Sequence, residues 1–199
     1  MSKENGSDPR VKRTREVLAQ AFIKLLGEKG FEAMTVQDIT AYAAVNRATF
    51  YAHFTDKFAL LEHIIRHSFQ QALQSKLPEE PPFSLDNLRL LILTVCEHLE
   101  DFKNLQCRAS SKQFEPLMER EVQRQVYQLV LRWVAEAPAA QQRPPIAPEV
   151  IASSVSWTIL GAGVHWRQND KQASVQAIAD QVLRLITHGL FGALHSEKT

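Results

Sequence analysis

The chain has 199 residues, with 23 Lys+Arg against 22 Asp+Glu for a formal charge of +1, and is 45% hydrophobic and 23% charged. That composition suits a globular protein of one compact domain or two small ones, and it excludes a collagen, long disorder and a disulfide scaffold. The longest uncharged stretch, Val150 to Trp166, contains three serines, a threonine and a histidine and falls short of a bilayer-spanning helix; the basic start, MSKENGSDPRVKRTR, has no apolar run behind it, so a cytoplasmic location is expected.

Helical periodicity runs through the chain without sustained strand-type alternation, which predicts an all-α protein. A first helix, about Arg10 to Lys29, aligns Val17, Leu18, Ala21, Phe22, Leu25 and Leu26 on one stripe and stops at Gly30. Thr35 followed by Asp38 has capping-box spacing and predicts a short helix through Val36, Ile39 and Ala43. Asn46 is a second cap, opening another short helix through Phe50 and Phe54. Thr55 with Asp56 opens a long helix to about Lys76.

Seven of the nine prolines fall in LPEEPPF (77–83) and PAAQQRPPIAP (138–148), which read as loops. Between them LDNLRLLILTVCEHL is apolar nearly all round, as in a helix inside a bundle. Pro116 is expected to separate a short segment, Phe102 to Phe114, from a helix Leu117 to Ala135. Two long helices, about Pro148 to Gln168 and Ser174 to Leu194, complete the series.

Local charge is more informative than the total. Arg10, Lys12, Arg13 and Arg15 lie within six residues with no acid among them, and between Ile39 and Thr55 the only charged side chain is Arg47. A surface that approaches phosphates omits carboxylates in this way. Two short helices joined by a tight turn, behind a supporting helix, are the parts of a helix-turn-helix DNA reader. Ile39, Val45, Phe50 and Phe54 can close its small core, leaving Arg47, Thr49, Tyr51 and His53 on other faces of the second short helix. An arginine there can reach guanine O6 and N7, while hydroxyls and a histidine can hold phosphates; helix-surface packing is the competing role for Tyr51 and His53.

Residues 30 to 61, GFEAMTVQDITAYAAVNRATFYAHFTDKFALL, resemble the DNA-binding domain of the TetR/AcrR family of bacterial transcriptional regulators. The resemblance rests on Gly30-Phe31, Thr35-Val36, Ile39, Val45, the run from Thr49 to Phe54, and Lys57. Two positions depart from the family pattern: Ala44, where glycine is usual in the turn, and Phe58, where an acid is common. Alanine in a turn that needs positive φ costs on the order of 1 kcal/mol. Carried over by position, the resemblance implies that Gln37 and Arg47 meet base edges, that Thr35, Thr49, Tyr51, His53 and Lys57 meet the DNA backbone, and that Arg13 and Arg15 add phosphate contacts. It implies a division into a flexible segment 1–9, a helix-turn-helix domain 10–55, and a helical effector-binding and dimerisation domain 56–199.

One such module touches few base pairs, so a homodimer on a palindromic operator is expected, with half-sites about 34 to 36 Å apart or a multiple of that. Gly161, Gly163, Gly189 and Gly192 lie in or near the last two helices, where they permit close approach. Ile159, Ala162, Gly163, Ile178, Val182, Leu185 and Gly189 form the candidate pairing seam, part of which must pack within the protomer. His98, Phe102, Cys107, Phe114, Tyr127, Trp133, Trp157 and His165 are candidates for a small-molecule effector pocket, with core packing the alternative for each.

The expected function is a homodimeric repressor released by a small-molecule effector, with an activator or a protein-controlled regulator as the alternative. No cofactor or metal is expected. GxSxG and P-loop motifs are absent, GAGVHW (161–166) is no dinucleotide fingerprint, and His63 and His67 lack the HExxH context, all of which argue against an enzyme.

Overall fold

The computed structural model describes residues 8–109, 114–136, 146–168 and 173–195, with side chains described at all of these except 102–109 and 190–195. Among the described residues there are eight α-helices and no strand: α1 (Pro9–Ala33), α2 (Val36–Tyr42), α3 (Arg47–His53), α4 (Lys57–Gln74), α5 (Leu85–Ala109), α6 (Phe114–Glu136), α7 (Pro148–Gln168) and α8 (Val175–His195). No helix among them is long and apolar enough to cross a membrane. Packing divides the chain into two units. The first runs to His67 and includes Lys103–Met118; the second comprises Ser68–Phe102 and Glu119 onward.

In the first unit, Asp8 caps α1 by accepting from the Arg10 amide at 2.9 Å, and Pro9 occupies the first position, where a missing N–H costs nothing. The stripe Leu18, Ala21, Phe22, Leu25 and Leu26 is buried as its spacing predicts. Gly30, at φ 75° and ψ 169°, breaks the helix and turns Phe31 into the core, 6.1 Å from the Phe22 ring and 5.0 Å from Phe58. The aromatic at position 58 therefore fills space beside Phe31. This unit takes in α4 as far as His67, and Leu60, Leu61 and Ile65 of α4 are buried.

In the second unit α5 buries Leu88, Leu91, Ile92, Val95, Cys96 and Leu99. An ideal Cβ on Gly163 of α7 would stand 2.8 Å from Leu99 Cδ1 and 3.6 Å from Cys96 Sγ, so glycine sets the close approach of α7 to α5. The expected break at Phe102 does not occur. No proline or glycine interrupts residues 85–109, so α5 continues to Ala109, and Pro116 falls in the first turn of α6, where it displaces no intrahelical hydrogen bond. Gly189, at φ 67°, interrupts α8.

Candidate functional site

Two interlocked caps build the reading head. Thr35 Oγ1 accepts from the Asp38 amide at 3.2 Å, and the Asp38 carboxylate accepts from the Thr35 amide at 2.8 Å and its hydroxyl at 2.6 Å. Lys29 closes on the same carboxylate at 2.7 Å, and the hydrogen bonds from Lys29 and Thr35 hold Asp38 well below the usual carboxylate range. Between α2 and α3 the chain turns through Ala44 at φ 53°, the one positive φ outside glycine among the described residues, with the Val45 amide returning to the Thr40 carbonyl at 3.0 Å. Asn46 Oδ1 then accepts from the Thr49 amide at 2.7 Å and its hydroxyl at 2.9 Å, which starts α3.

Phe50 anchors α3 inside the head, fully buried, with Phe54 5.9 Å away. The opposite face is a stripe of Arg47, Ala48, Tyr51 and Ala52, all exposed. The Arg47 guanidinium lies 6.0 Å from the centroid of the Tyr51 ring. Gln37 on α2 and Arg13 on α1 are exposed, Arg15 and His53 half-buried. Desolvation, and then the charge of Arg15, lower the pKa of His53, which favours its uncharged form. The small side chains of Ala48 and Ala52 complete the stripe; their one-turn spacing on a helix with Phe50 inward was the available signal. Tyr42, exposed on α2, was likewise not singled out.

Three expected contact residues carry other duties. The hydroxyls of Thr35 and Thr49 donate to caps. Lys57 Nζ donates to the carbonyls of Phe31 and Met34, each at 2.9 Å, and of Glu32 at 3.3 Å, closing the broken end of α1.

Residues 18–64 match the family model described as bacterial regulatory proteins, tetR family, and residues 86–188, over half the chain, match that of a transcriptional regulator C-terminal region. The chain belongs to the TetR family. It is 45% identical over 67 residues to YxbF, an uncharacterized HTH-type transcriptional regulator of Bacillus subtilis (strain 168), covering 33% of this chain and 18% of that protein. With YuxN of the same organism, also an uncharacterized HTH-type transcriptional regulator, identity is 25% over 107 residues, covering 51% and 36%. The chain thus spans well under half the length of these curated relatives. Its fold is that of the transcriptional regulator FadR from Bacillus subtilis, solved in complex with stearoyl-CoA: TM-score 0.56, 18% identity, 88% of this chain and 98% of that chain.

Among its described residues, the C-terminal unit of this TetR-family chain holds a polar cleft and an apolar cavity. A polar cleft of about 340 Å3 lies between the end of α4, the proline loop and α6, with Gln70, Gln74, Gln125, Gln128 and Arg132 on its walls. An apolar cavity of about 290 Å3, open to solvent beside the exposed Phe83 and Thr187, is lined by these two and by Leu88, Val130, Trp133, Val134, Ile151, Val155 and Ile186. Of the candidate pocket residues, Trp133 lines the apolar cavity and its indole N–H donates to the Pro81 carbonyl at 2.6 Å. His98 is buried with its ring 5.1 Å from Phe69, Phe114 is buried in the first unit, and Tyr127 is half-buried outside both cavities. Trp157 and His165 are exposed on α7, and Phe102 and Cys107 lie outside the residues whose side chains are described.

Of the candidate seam, Ile159, Gly163 and Val182 are buried within the protomer, Ala162 and Ile178 are half-buried, and Leu185 and Gly189 are exposed. The exposed face of α7 is Val150, Ser154, Trp157, Gly161 and His165, none of them a carboxylate, lysine or arginine. His63 and His67 stack with ring centroids 6.1 Å apart, and no group of three or more potential metal ligands occurs among the described residues.

Proposed function

We propose that this chain acts as a cytoplasmic homodimeric repressor, binding a palindromic operator through α2 and α3 and leaving it when the C-terminal unit takes up a small-molecule effector. The carrying observation is the stripe of Arg47, Ala48, Tyr51 and Ala52 on a helix capped at one end by Asn46 and anchored by buried Phe50. The stripe is free of carboxylates and narrow enough at its alanines for a major groove. Arg47, restrained over Tyr51, reads a guanine edge, and Gln37 on α2 reads a neighbouring base. Tyr51 and His53 donate to phosphates, as do Arg13 and Arg15 at the start of α1. Thr35, Thr49 and Lys57 serve mainly by holding the head in shape.

Pairing uses the outward face of α7, with Trp157 over half exposed beside Gly161, together with Leu185 of α8. An uncharged helix face with a large aromatic at its centre is costly to leave in water and suits a two-fold seam. An effector relieves repression only by binding the two conformations of the dimer unequally, with coupling of about 1 to 3 kcal/mol. Selection of bound duplexes from a random pool tests the reading: an enriched inverted repeat is expected, and a pool that stays unenriched at low ionic strength overturns it.

A further inference from the structure

We propose that the apolar cavity walled by α5, α6, α7, α8 and the proline loop is a binding site for one uncharged, largely apolar molecule about the size of two fused rings. Its volume is about 290 Å3. An apolar cavity of about 150 Å3 accommodates a benzene ring, so a bicyclic aromatic or an alkyl chain of similar bulk fits the larger space.

The wall chemistry selects against charge. No Lys, Arg, Asp or Glu is among its described lining residues. The two polar side chains that reach it have already spent their protons: the Trp133 indole N–H on the Pro81 carbonyl at 2.6 Å, and the Thr187 hydroxyl on the Leu183 carbonyl at 2.8 Å. A carboxylate or phosphate entering here would surrender its hydration with no donor in return. An apolar molecule loses nothing of that kind and covers Val130, Val155 and Ile186, the last two of them half-exposed to water otherwise. The wall that can give way is Phe83, the loop's contribution, which is 57% exposed and stands edge-on to Trp133 at 5.9 Å; the others are helix faces.

Because Val155 belongs to α7 and Ile186 to α8, an occupant sets the spacing of the two helices assigned above to pairing. In that consequence for DNA the inference rests on the proposed function, whereas the binding does not.

The test uses the intact chain without DNA and two fluorescent probes of nearly equal shape: 1-naphthylamine, uncharged at neutral pH, and its sulfonated counterpart, 5-aminonaphthalene-1-sulfonate. Fluorescence titration is expected to give one saturable naphthylamine site per chain and at least tenfold weaker binding of the sulfonate. Val155→Phe fills the cavity and is expected to weaken naphthylamine binding at least tenfold with the circular dichroism spectrum retained. Val134→Phe fills the same space from α6 and serves should Val155→Phe not fold. Equal binding of the two probes, or full binding by both filled variants, would each overturn the assignment. With no DNA in the assay, a negative result leaves the operator reading standing, and a failed operator selection leaves probe binding measurable.

Discussion

The ammonium of Lys57 stands 4.5 Å from the centroid of the Phe31 ring and donates to the carbonyl oxygen of the same residue at 2.9 Å. Gly30 breaks α1 just before this point; the Phe31 carbonyl still receives the Met34 amide at 3.3 Å, and Lys57 donates to it and to the carbonyls of Glu32 and Met34 from 23 to 26 residues away. The lysine thereby fixes the start of α4 against the end of α1 and sets the frame on which α2 and α3 are mounted.

Replacing Lys57 with methionine keeps the aliphatic stem and removes the donors. Hydrogen bonds to a charged group contribute about 1.5 to 3 kcal/mol, and a loss of that size is expected in urea denaturation. The slope of log affinity for DNA against log salt is expected to match the parent. A slope reduced by about 0.9 would mean that the ammonium neutralises a phosphate instead.

Ala44 holds φ 53°, where its Cβ crowds the following carbonyl. Ala44→Gly removes that conflict at the cost of a looser unfolded chain, and a net gain of up to about 1 kcal/mol is expected in the same denaturation assay. A loss of stability would show that the turn accommodates alanine without strain.

For Arg47→Ala, affinity is expected to fall most on the preferred operator and to become indifferent at one base position, a change of about 1 to 3 kcal/mol in discrimination there. Affinities for every single-base variant of the selected operator provide the measurement. A uniform loss across all of them would assign Arg47 to the backbone.

The head was largely legible because its signals are local. The Thr35–Asp38 box and the Asn46 cap need only three-residue spacing, and both formed where that spacing put them. Lys57 was legible as a motif residue but not in its duty, since nothing in the spacing links it to carbonyls 23 or more residues back. On α7 the periodicity is ambiguous: Ile159 and Gly163 share one apolar face and Trp157 and Gly161 another, and no charged stripe separates them. Only packing against α5 reveals that the first pair faces inward, at Leu99, and the tryptophan outward. The same lack of a polar face hid the apolar cavity, whose walls come from five separate segments.

Two desolvated imidazoles, His98 buried and His63 half-buried, make stability depend on pH. Burial pulls His98 down to about 4, and burial, then the charges of Arg15, His67 and Arg66, pull His63 to about 4. Unfolded, both titrate near 6.5, so between pH 6.5 and 4 the unfolded chain binds more protons and stability rises with pH. The contribution is complete above 6.5 and is lost as pH falls toward 4, at up to about 1.4 kcal/mol per pH unit for each histidine. His63 is half-buried, and solvent screening reduces its share. Unfolding free energies measured from pH 7 to pH 4.5 should decline along this slope, less steeply in His98→Phe. A flat profile in the parent would place both imidazoles in contact with water.

The two faces of α7 give opposite expectations for neighbouring substitutions. Gly163→Ala brings a methyl to within 2.8 Å of Leu99 Cδ1, and overpacking of this kind costs about 1 to 3 kcal/mol, so the protomer is expected to lose stability. Trp157→Glu puts a charge on the exposed, uncharged face and touches no buried core, so the helical content should persist while the dimer separates. Sedimentation at matched concentrations, paired with thermal unfolding, distinguishes the two. If Gly163→Ala separated the protomers and Trp157→Glu left them joined, the pairing face would have to be moved to the side of α7 that carries Gly163.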